Sequence, residues 1–260
     1  MTPNDALENL RTKSPLVHCI TNYVAMNIAA NVVLAAGASP AMIHAEEEVA
    51  DFVPIAGALS VNIGTLSAPW LNAMLLAAEA ANESGKPWVL DPVAHFATPY
   101  RSLAVQSLID LGPTIIRGNA SEIMALEGKS GAGKGVDSGD EVNAAKQAAT
   151  DLALTKNCVV AVTGEVDFIT DGKKAASIHG GSALMPQVTA LGCSLTALVS
   201  AYAALDAPLD ATVAALLHFA EAGERADRGA SGPGTFAADF LDQLSIVKPG
   251  ALDEGRIQWH

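Results

Sequence analysis

A cysteine, a glycine and two hydroxyl residues stand together in Thr189-Ala190-Leu191-Gly192-Cys193-Ser194, directly ahead of the apolar run from Leu195 to Ala204. The pattern reads as a tight turn feeding a helix. A helix start presents unpaired backbone N–H groups and a partial positive charge, which suits a transferring phosphate. No acidic or basic side chain lies between Thr189 and Ala204, so a charge held at this turn belongs to a ligand. Cys193 falls in the first helical turn, where the helix field is expected to favour its thiolate. A buried helix with a small-residue start would carry the same residues.

Three more groups have types and positions that fit phosphate chemistry. Asp91 follows the apolar Trp88-Val89-Leu90 and precedes Pro92; a carboxylate at a strand end holds magnesium or its waters, and an Asp-Pro pair also forms turns. Arg117 emerges from the apolar Thr114-Ile115-Ile116, where a cation is costly unless it meets an anion such as a phosphate. Asn119 and Glu122 lie three apart at a helix start, a spacing that serves hydrated magnesium or a capping box equally.

Other candidates read more plainly. Gly128 to Gly135 approaches the phosphate-loop pattern G-x-x-x-x-G-K-[ST], but Gly135 replaces the hydroxyl that would hold magnesium, and no buried strand precedes it. A surface loop from Gly128 to Gly139 is expected instead, one able to close over nucleotide. His44 near Glu46, Glu47 and Glu48 suggests a metal cluster only superficially, because acids suit a solvated helix start. His18 reads as a core or hydrogen-bonded histidine. Cys19, Cys158 and Cys193 are widely spaced and contain no C-x-x-C pair, so neither a disulfide framework nor a zinc site is encoded.

The elements that must position these groups alternate. Apolar strands are expected at Leu16–Ile20, Pro40–Ile43, Leu59–Ile63, Trp88–Leu90, Thr114–Ile116 and Cys158–Val162. Helices are expected at Asp5–Arg11, Asn27–Ala36, Trp70–Asn82, Arg101–Leu111, Ser121–Leu126 and Glu141–Thr155, with three more from Ser194, Asp210 and Thr235. Asp171-Gly172 marks a hairpin. Apolar, non-alternating strands separated by helices imply a mostly parallel sheet covered on both faces, a three-layer α/β/α fold with ligands beyond the strand carboxyl ends. Half of the residues are hydrophobic, enough to bury one large core, and no repeat or linker interrupts the chain, so residues 1–260 are expected to form one domain. With 15 basic and 28 acidic side chains the net charge is −13, which repels nucleic acid and anionic membranes. Met1 to Asp5 shows no basic-then-apolar leader, and no uninterrupted apolar run reaches the roughly 18 residues of a membrane helix. The cytoplasm is the expected compartment.

The ordered set of segments resembles the hydroxyethylthiazole kinases, a ribokinase-like family of thiamine salvage. The matching pieces are Val17–Asn22, Ala38–Met42, Asp91–Val93, Arg117–Glu122, Gly135–Ser138, Val162–Gly164, Gly192-Cys193, Ala222–Glu224 and Gly232–Phe236, covering nearly the whole chain. The resemblance implies a ribokinase-like fold and ATP- and magnesium-dependent phosphorylation of 4-methyl-5-(2-hydroxyethyl)thiazole at its primary hydroxyl. Carried over by position, Met42 and Ala190 contact the thiazole, Arg117 and Thr163 the ATP, and Asp91 and Glu122 position Mg2+. Cys193 stands where ribokinase relatives place an aspartate base. A homotrimer with active sites at subunit interfaces is implied as well. The chain departs from the family at Ala190, where a glycine is usual, with Leu191 beside it, and at Ala94-His95-Phe96, where glycine and small residues are usual. A kinase for another small alcohol, hydroxymethylpyrimidine or a sugar, is the neighbouring reading. A non-catalytic sensor of nucleotide or thiazole is the reading from another class.

Overall fold

The computed structural model describes residues 1–128 and 138–260. Gly133, Lys134 and Gly135 of the phosphate-loop-like stretch lie outside the described residues, as does most of the expected 128–139 loop.

The described strands form one sheet in the order β2-β1-β3-β4-β5-β6-β7-β8-β9. The strands β1 (Leu16–Ile20), β2 (Ser39–Ala41), β3 (Ala58–Asn62), β4 (Trp88–Asp91), β5 (Ile115–Asn119) and β6 (Val159–Thr163) pair in parallel. The strands β7 (Val166–Thr170), β8 (Ala175–His179) and β9 (Ile257–Trp259) extend the sheet antiparallel, and the Asp171-Gly172 turn joins β7 to β8 as expected, with Gly172 at φ 84°. Every residue of β3 and β4 is buried, which explains why these strands show no polar alternation.

Helices cover both faces. On one side α1 (Pro3–Lys13), α2 (Met26–Ala36), α8 (Leu191–Ala203), α9 (Pro208–Asp227) and α10 (Pro233–Ile246) share a core with the sheet. On the other, α4 (Ala68–Glu83), α5 (Pro99–Asp110), α6 (Ala120–Leu126) and α7 (Ser138–Lys156), with the short α3 (Val49–Phe52), enclose a second core. The three-layer, mostly parallel architecture read from the alternation is the one observed. No helix among the described residues is long and apolar enough to cross a membrane.

Helix α8 is the central element. From Ser194 to Ala203 every residue is buried, as a helix apolar on all sides requires, and its two serines are satisfied within it: Ser194 Oγ donates to the Leu191 carbonyl at 2.6 Å and Ser200 Oγ to the Thr196 carbonyl at 2.9 Å. The helix begins at Leu191 rather than Ser194, because Ala190 turns the chain in the left-handed region (φ 59°, ψ 14°) and its carbonyl accepts the Ser194 N–H at 3.0 Å.

Of the six parallel strands β1 alone keeps its expected bounds; β3, β4 and β6 shift or lengthen by one residue, and β2 and β5 differ by more. β5 runs past Ile116 to Asn119, because Arg117, Gly118 and Asn119 continue to pair with Ala161, Val162 and Thr163; a charge ends an apolar pattern but not a hydrogen-bond ladder. β2 stops at Ala41, and just beyond it His18 Nε2 donates to the Ile43 carbonyl at 2.8 Å. His18 is therefore the buried, hydrogen-bonded histidine its surroundings suggested, and burial lowers its pKa.

Candidate active site

The parallel strands share one carboxyl end, so the polar residues that close them converge there. Asn62 ends β3 opposite Asp91 of β4, and Asn119 ends β5 opposite Thr163 of β6. Asn22 follows β1 after Thr21, and the first turn of α8 docks on the same edge.

Asp91 is the buried hub, 1% exposed. Its Oδ2 accepts from Asn62 Nδ2 at 2.8 Å and Thr196 Oγ1 at 2.7 Å, and lies 3.5 Å from Arg117 Nη1. Burial pushes its pKa up, the Arg117 cation pulls it back, and the balance lies at about 6. Asn62 Oδ1 in turn accepts from Asn22 Nδ2 at 2.7 Å. Asn22 fits only because residue 64 is glycine: a Cβ there would sit 2.4 Å from Asn22 Nδ2.

Arg117 bridges the strand ends and the helix. Nη1 donates to the Gly192 carbonyl at 3.0 Å and Nη2 to Thr163 Oγ1, while the buried Nε has no partner among the described residues. The anion expected beside this cation is in the first instance Asp91, from a neighbouring strand.

Glu122, read as either a cap or a magnesium carboxylate, makes the cap. Asn119 Oδ1 accepts the Glu122 N–H at 2.9 Å, and Glu122 Oε2 accepts the Asn119 N–H at 2.8 Å, a reciprocal capping box. Its Oε1 also accepts the Ala94 N–H at 2.9 Å. The carboxylate keeps further lone pairs and lines the smaller cavity described below.

Cys193 corrects the sequence reading. Burial first and the Asp91 carboxylate second push its thiol above its ordinary value, with Asn62, Arg117 and Asn22 pulling back. Burial and repulsion from the neighbouring carboxylate both disfavour the thiolate that the first-turn helix field was expected to favour. The raised pKa favours the neutral thiol, whose sulfur accepts from Asn22 Nδ2 at 3.6 Å. Cys19 and Cys158 are also free and buried, with thiols pushed up to about 12.

Two cavities meet at Arg117, Asn119, Met185 and Gly192. The larger, about 700 Å³, has an apolar wall of Leu191, Leu195, Met185 and Phe219 and a polar rim that includes Thr163 and Asp167. The smaller, about 280 Å³, is lined by Asp91, Val93, Glu122, Ala190 and Cys193. Cavities of several hundred cubic ångströms suit a ligand of nucleotide size and a small acceptor.

Of the residues singled out in the sequence, Asp91, Arg117, Glu122, Thr163, Ala190 and Cys193 come together on these walls. Met42 does not: it lies just past β2, half-buried against the α2 and α8 side of the sheet. His44 stacks on Trp70 with ring centroids 4.5 Å apart, and among the described residues no three His, Cys, Asp or Glu side chains are grouped to hold a metal. Ala190, and Ala94 at the start of the departing Ala94-His95-Phe96 stretch, adopt positive φ, 59° and 47°, the conformation glycine occupies without strain.

Sequence reasoning missed Asn62, Thr196 and Asp167. An asparagine closing a fully buried strand and a lone threonine inside an apolar helix were the available signals for the first two. Asp167 lies on β7, where Oδ1 accepts the Gly164 N–H three residues back at 3.0 Å and burial raises its pKa to about 6; its place on the rim of the larger cavity follows only from the fold.

A family model described as the hydroxyethylthiazole kinase family matches residues 7–249. The chain belongs to that family. It is 62% identical to the hydroxyethylthiazole kinase of Rhizobium rhizogenes, over 98% of this chain and 97% of the relative. It is 61% identical to that of Roseobacter denitrificans, over 97% of this chain and 98% of the relative. A solved hydroxyethylthiazole kinase protein from Pyrococcus horikoshii OT3 superposes with a TM-score of 0.92 at 39% identity, over 99% of this chain and 98% of the other. The pyridoxal kinase from Staphylococcus aureus in complex with AMP-PCP and pyridoxal superposes with a TM-score of 0.61 at 18% identity, over 81% of this chain and 88% of the other, so this hydroxyethylthiazole kinase family member shares its fold.

Proposed function

We propose that this chain transfers the γ-phosphoryl group of ATP to the primary hydroxyl of 4-methyl-5-(2-hydroxyethyl)thiazole, serving thiamine biosynthesis or salvage in the cytoplasm as one domain over residues 1–260. The observation that carries the reading is the meeting of the two cavities at Arg117 and Gly192. A nucleotide in the larger cavity points its terminal phosphate at an acceptor in the smaller one.

Each residue then has a task. Arg117 and Thr163, already hydrogen-bonded to each other, face the phosphate chain. Gly192 and Cys193 sit in the first turn of α8, where amide N–H groups lack intrahelical partners, and those amides stabilise the charge that develops on the transferring group. Asp91 and Glu122 are hard oxygen donors on the same cavity wall, a set that fits Mg2+ with waters and substrate phosphates as its remaining ligands. When bound there, Mg2+ supplies neutralisation of phosphate charge. Phosphoryl transfer depends mainly on positioning and electrostatics, so the neutral Cys193 thiol aligns the alcohol hydroxyl and need not ionise.

Ala190 packs its methyl against the acceptor, and Met42 contacts the thiazole. Met42 lines neither cavity within one chain, which supports a homotrimer whose sites are completed across subunit interfaces. The exposed Tyr23, Val24, Tyr100 and Leu103 offer apolar surface for such contacts.

ATP turnover with hydroxyethylthiazole, with and without Mg2+, tests the assignment. ADP formation that requires both the thiazole and Mg2+ supports it. Preference for hydroxymethylpyrimidine or a sugar over the thiazole moves the substrate, and binding without alcohol-dependent ADP formation replaces the kinase by a sensor.

A further inference from the structure

Arg101 on α5 lines neither cavity, yet its guanidinium is committed to the loops behind the smaller one. Nε donates to the Ala94 carbonyl at 3.1 Å, Nη1 to the Gly64 carbonyl at 3.0 Å, and Nη2 to the Ile63 carbonyl at 2.8 Å and to the Val93 carbonyl. These acceptors belong to two separate loops. One follows β3, which ends at Asn62; the other follows β4, which ends at Asp91. Asn62 and Asp91 are themselves hydrogen-bonded, so Arg101 closes a ring: two strand ends joined by their side chains, and their outgoing loops joined by one planar fork of donors.

The fork also holds a strained residue. Ala94 is left-handed at φ 47°, ψ 38°, a region costly for a residue with a Cβ. It is gripped on both sides, its carbonyl by Arg101 Nε and its N–H by Glu122 Oε1. Released from Arg101, an alanine relaxes toward negative φ and turns its N–H away. Glu122 then loses one of the two amides that fix its carboxylate, and Val93, which lines the smaller cavity beside Asp91 and Glu122, moves with the loop.

We infer that Arg101 is a positioning residue for phosphoryl transfer: by clamping the loops after β3 and β4 it holds Ala94 left-handed and so fixes the Glu122 carboxylate relative to Asp91. This rests on the kinase reading above. The geometry demands arginine, since a lysine ammonium has three donors at one point and cannot span the four carbonyls.

The test uses the full chain with Arg101→Lys and Arg101→Gln, each alone and combined with Ala94→Gly. Rates are taken per folded molecule, and hydrogen exchange is followed at the Ala94 amide. The expected loss in kcat is on the order of a hundredfold, with the KM for ATP within about threefold, because a misplacement near 1 Å has that effect on transfer geometry. In the Ala94→Gly background the loss should shrink by about tenfold, since glycine takes the left-handed conformation unaided. The Ala94 amide should exchange faster in Arg101→Lys than in the parent. A lowered Tm with unchanged kcat per folded molecule, a fully active Arg101→Lys, or equal losses in both backgrounds would overturn the inference. Should the parent chain show no alcohol-dependent turnover, the kinase reading fails by itself, and unchanged protection of the Ala94 amide in Arg101→Lys would separately remove the clamp.

Discussion

Ala190 stands immediately before α8 with φ 59° and ψ 14°, and its methyl faces the smaller cavity beside Asp91 and Cys193. A left-handed conformation costs a residue with a Cβ about 1–2 kcal/mol. Ala190→Gly removes that strain but adds conformational freedom to the unfolded chain, which costs roughly 0.5–1 kcal/mol. The two effects oppose, and the strain is the larger, leaving a net stabilisation of about 0.5–1 kcal/mol. For a chain of this size that corresponds to a Tm increase of roughly 2 °C, measurable by calorimetry and by the urea midpoint at unchanged m-value. The lost methyl also enlarges the smaller cavity, so on the kinase reading KM for hydroxyethylthiazole should change while KM for ATP, assigned to the larger cavity, stays constant. A destabilisation beyond about 0.5 kcal/mol would refute the reasoning, because it would mean that the methyl contributes packing that outweighs the strain of the turn.

The buried carboxylate gives a pH signature. Because the Asp91 pKa is raised in the folded chain to about 6, its contribution to stability is fully present below the ordinary carboxylate range and is lost as pH rises through about 6. Relative to Asp91→Asn, urea unfolding of the metal-free chain should show this difference as on the order of 3 kcal/mol between pH 4 and pH 7, and a pH-independent difference would remove the raised pKa. Turnover should climb through the same window as Asp91 ionises, and that acid limb should vanish in any residual activity of Asp91→Asn. Cys193→Ser should keep turnover within about tenfold of the parent with no new alkaline limb, since a neutral hydroxyl replaces a neutral thiol; a loss beyond about a thousandfold would restore a thiolate base. Cys193→Asp places a second carboxylate beside Asp91 and should move the acid limb to higher pH, checked by the kcat profile. Gly64→Ala drives a Cβ to within 2.4 Å of Asn22 Nδ2; the forced shift should destabilise by about 1–3 kcal/mol, and a neutral result in urea would show that Asn22 is not held where the hydrogen-bond chain to Asp91 requires.

The sequence alone determined the layering and the place of the site. Short apolar runs such as Leu16–Ile20 and Trp88–Leu90, set between longer helical segments, specify buried parallel strands, because side-chain periodicity reports which faces are buried without reference to distant residues. The family resemblance marked Ala190 as standing where a glycine is usual and Ala94-His95-Phe96 as replacing glycine and small residues, and both Ala190 and Ala94 are left-handed. Electrostatic roles escaped the sequence. Whether Arg117 meets a carboxylate, whether Cys193 ionises and whether Glu122 caps a helix, faces a cavity or does both depend on desolvation and on charges brought in from other strands. Asn62 from β3, Asp91 from β4, Arg117 from β5 and Thr196 from α8 become neighbours only when the sheet closes and α8 docks on its carboxyl edge. That Met42, just past β2, lines neither cavity was equally invisible, since it depends on the order of the strands in the sheet. Local pattern fixed which residues are buried, and tertiary structure alone fixed which charges they are buried against.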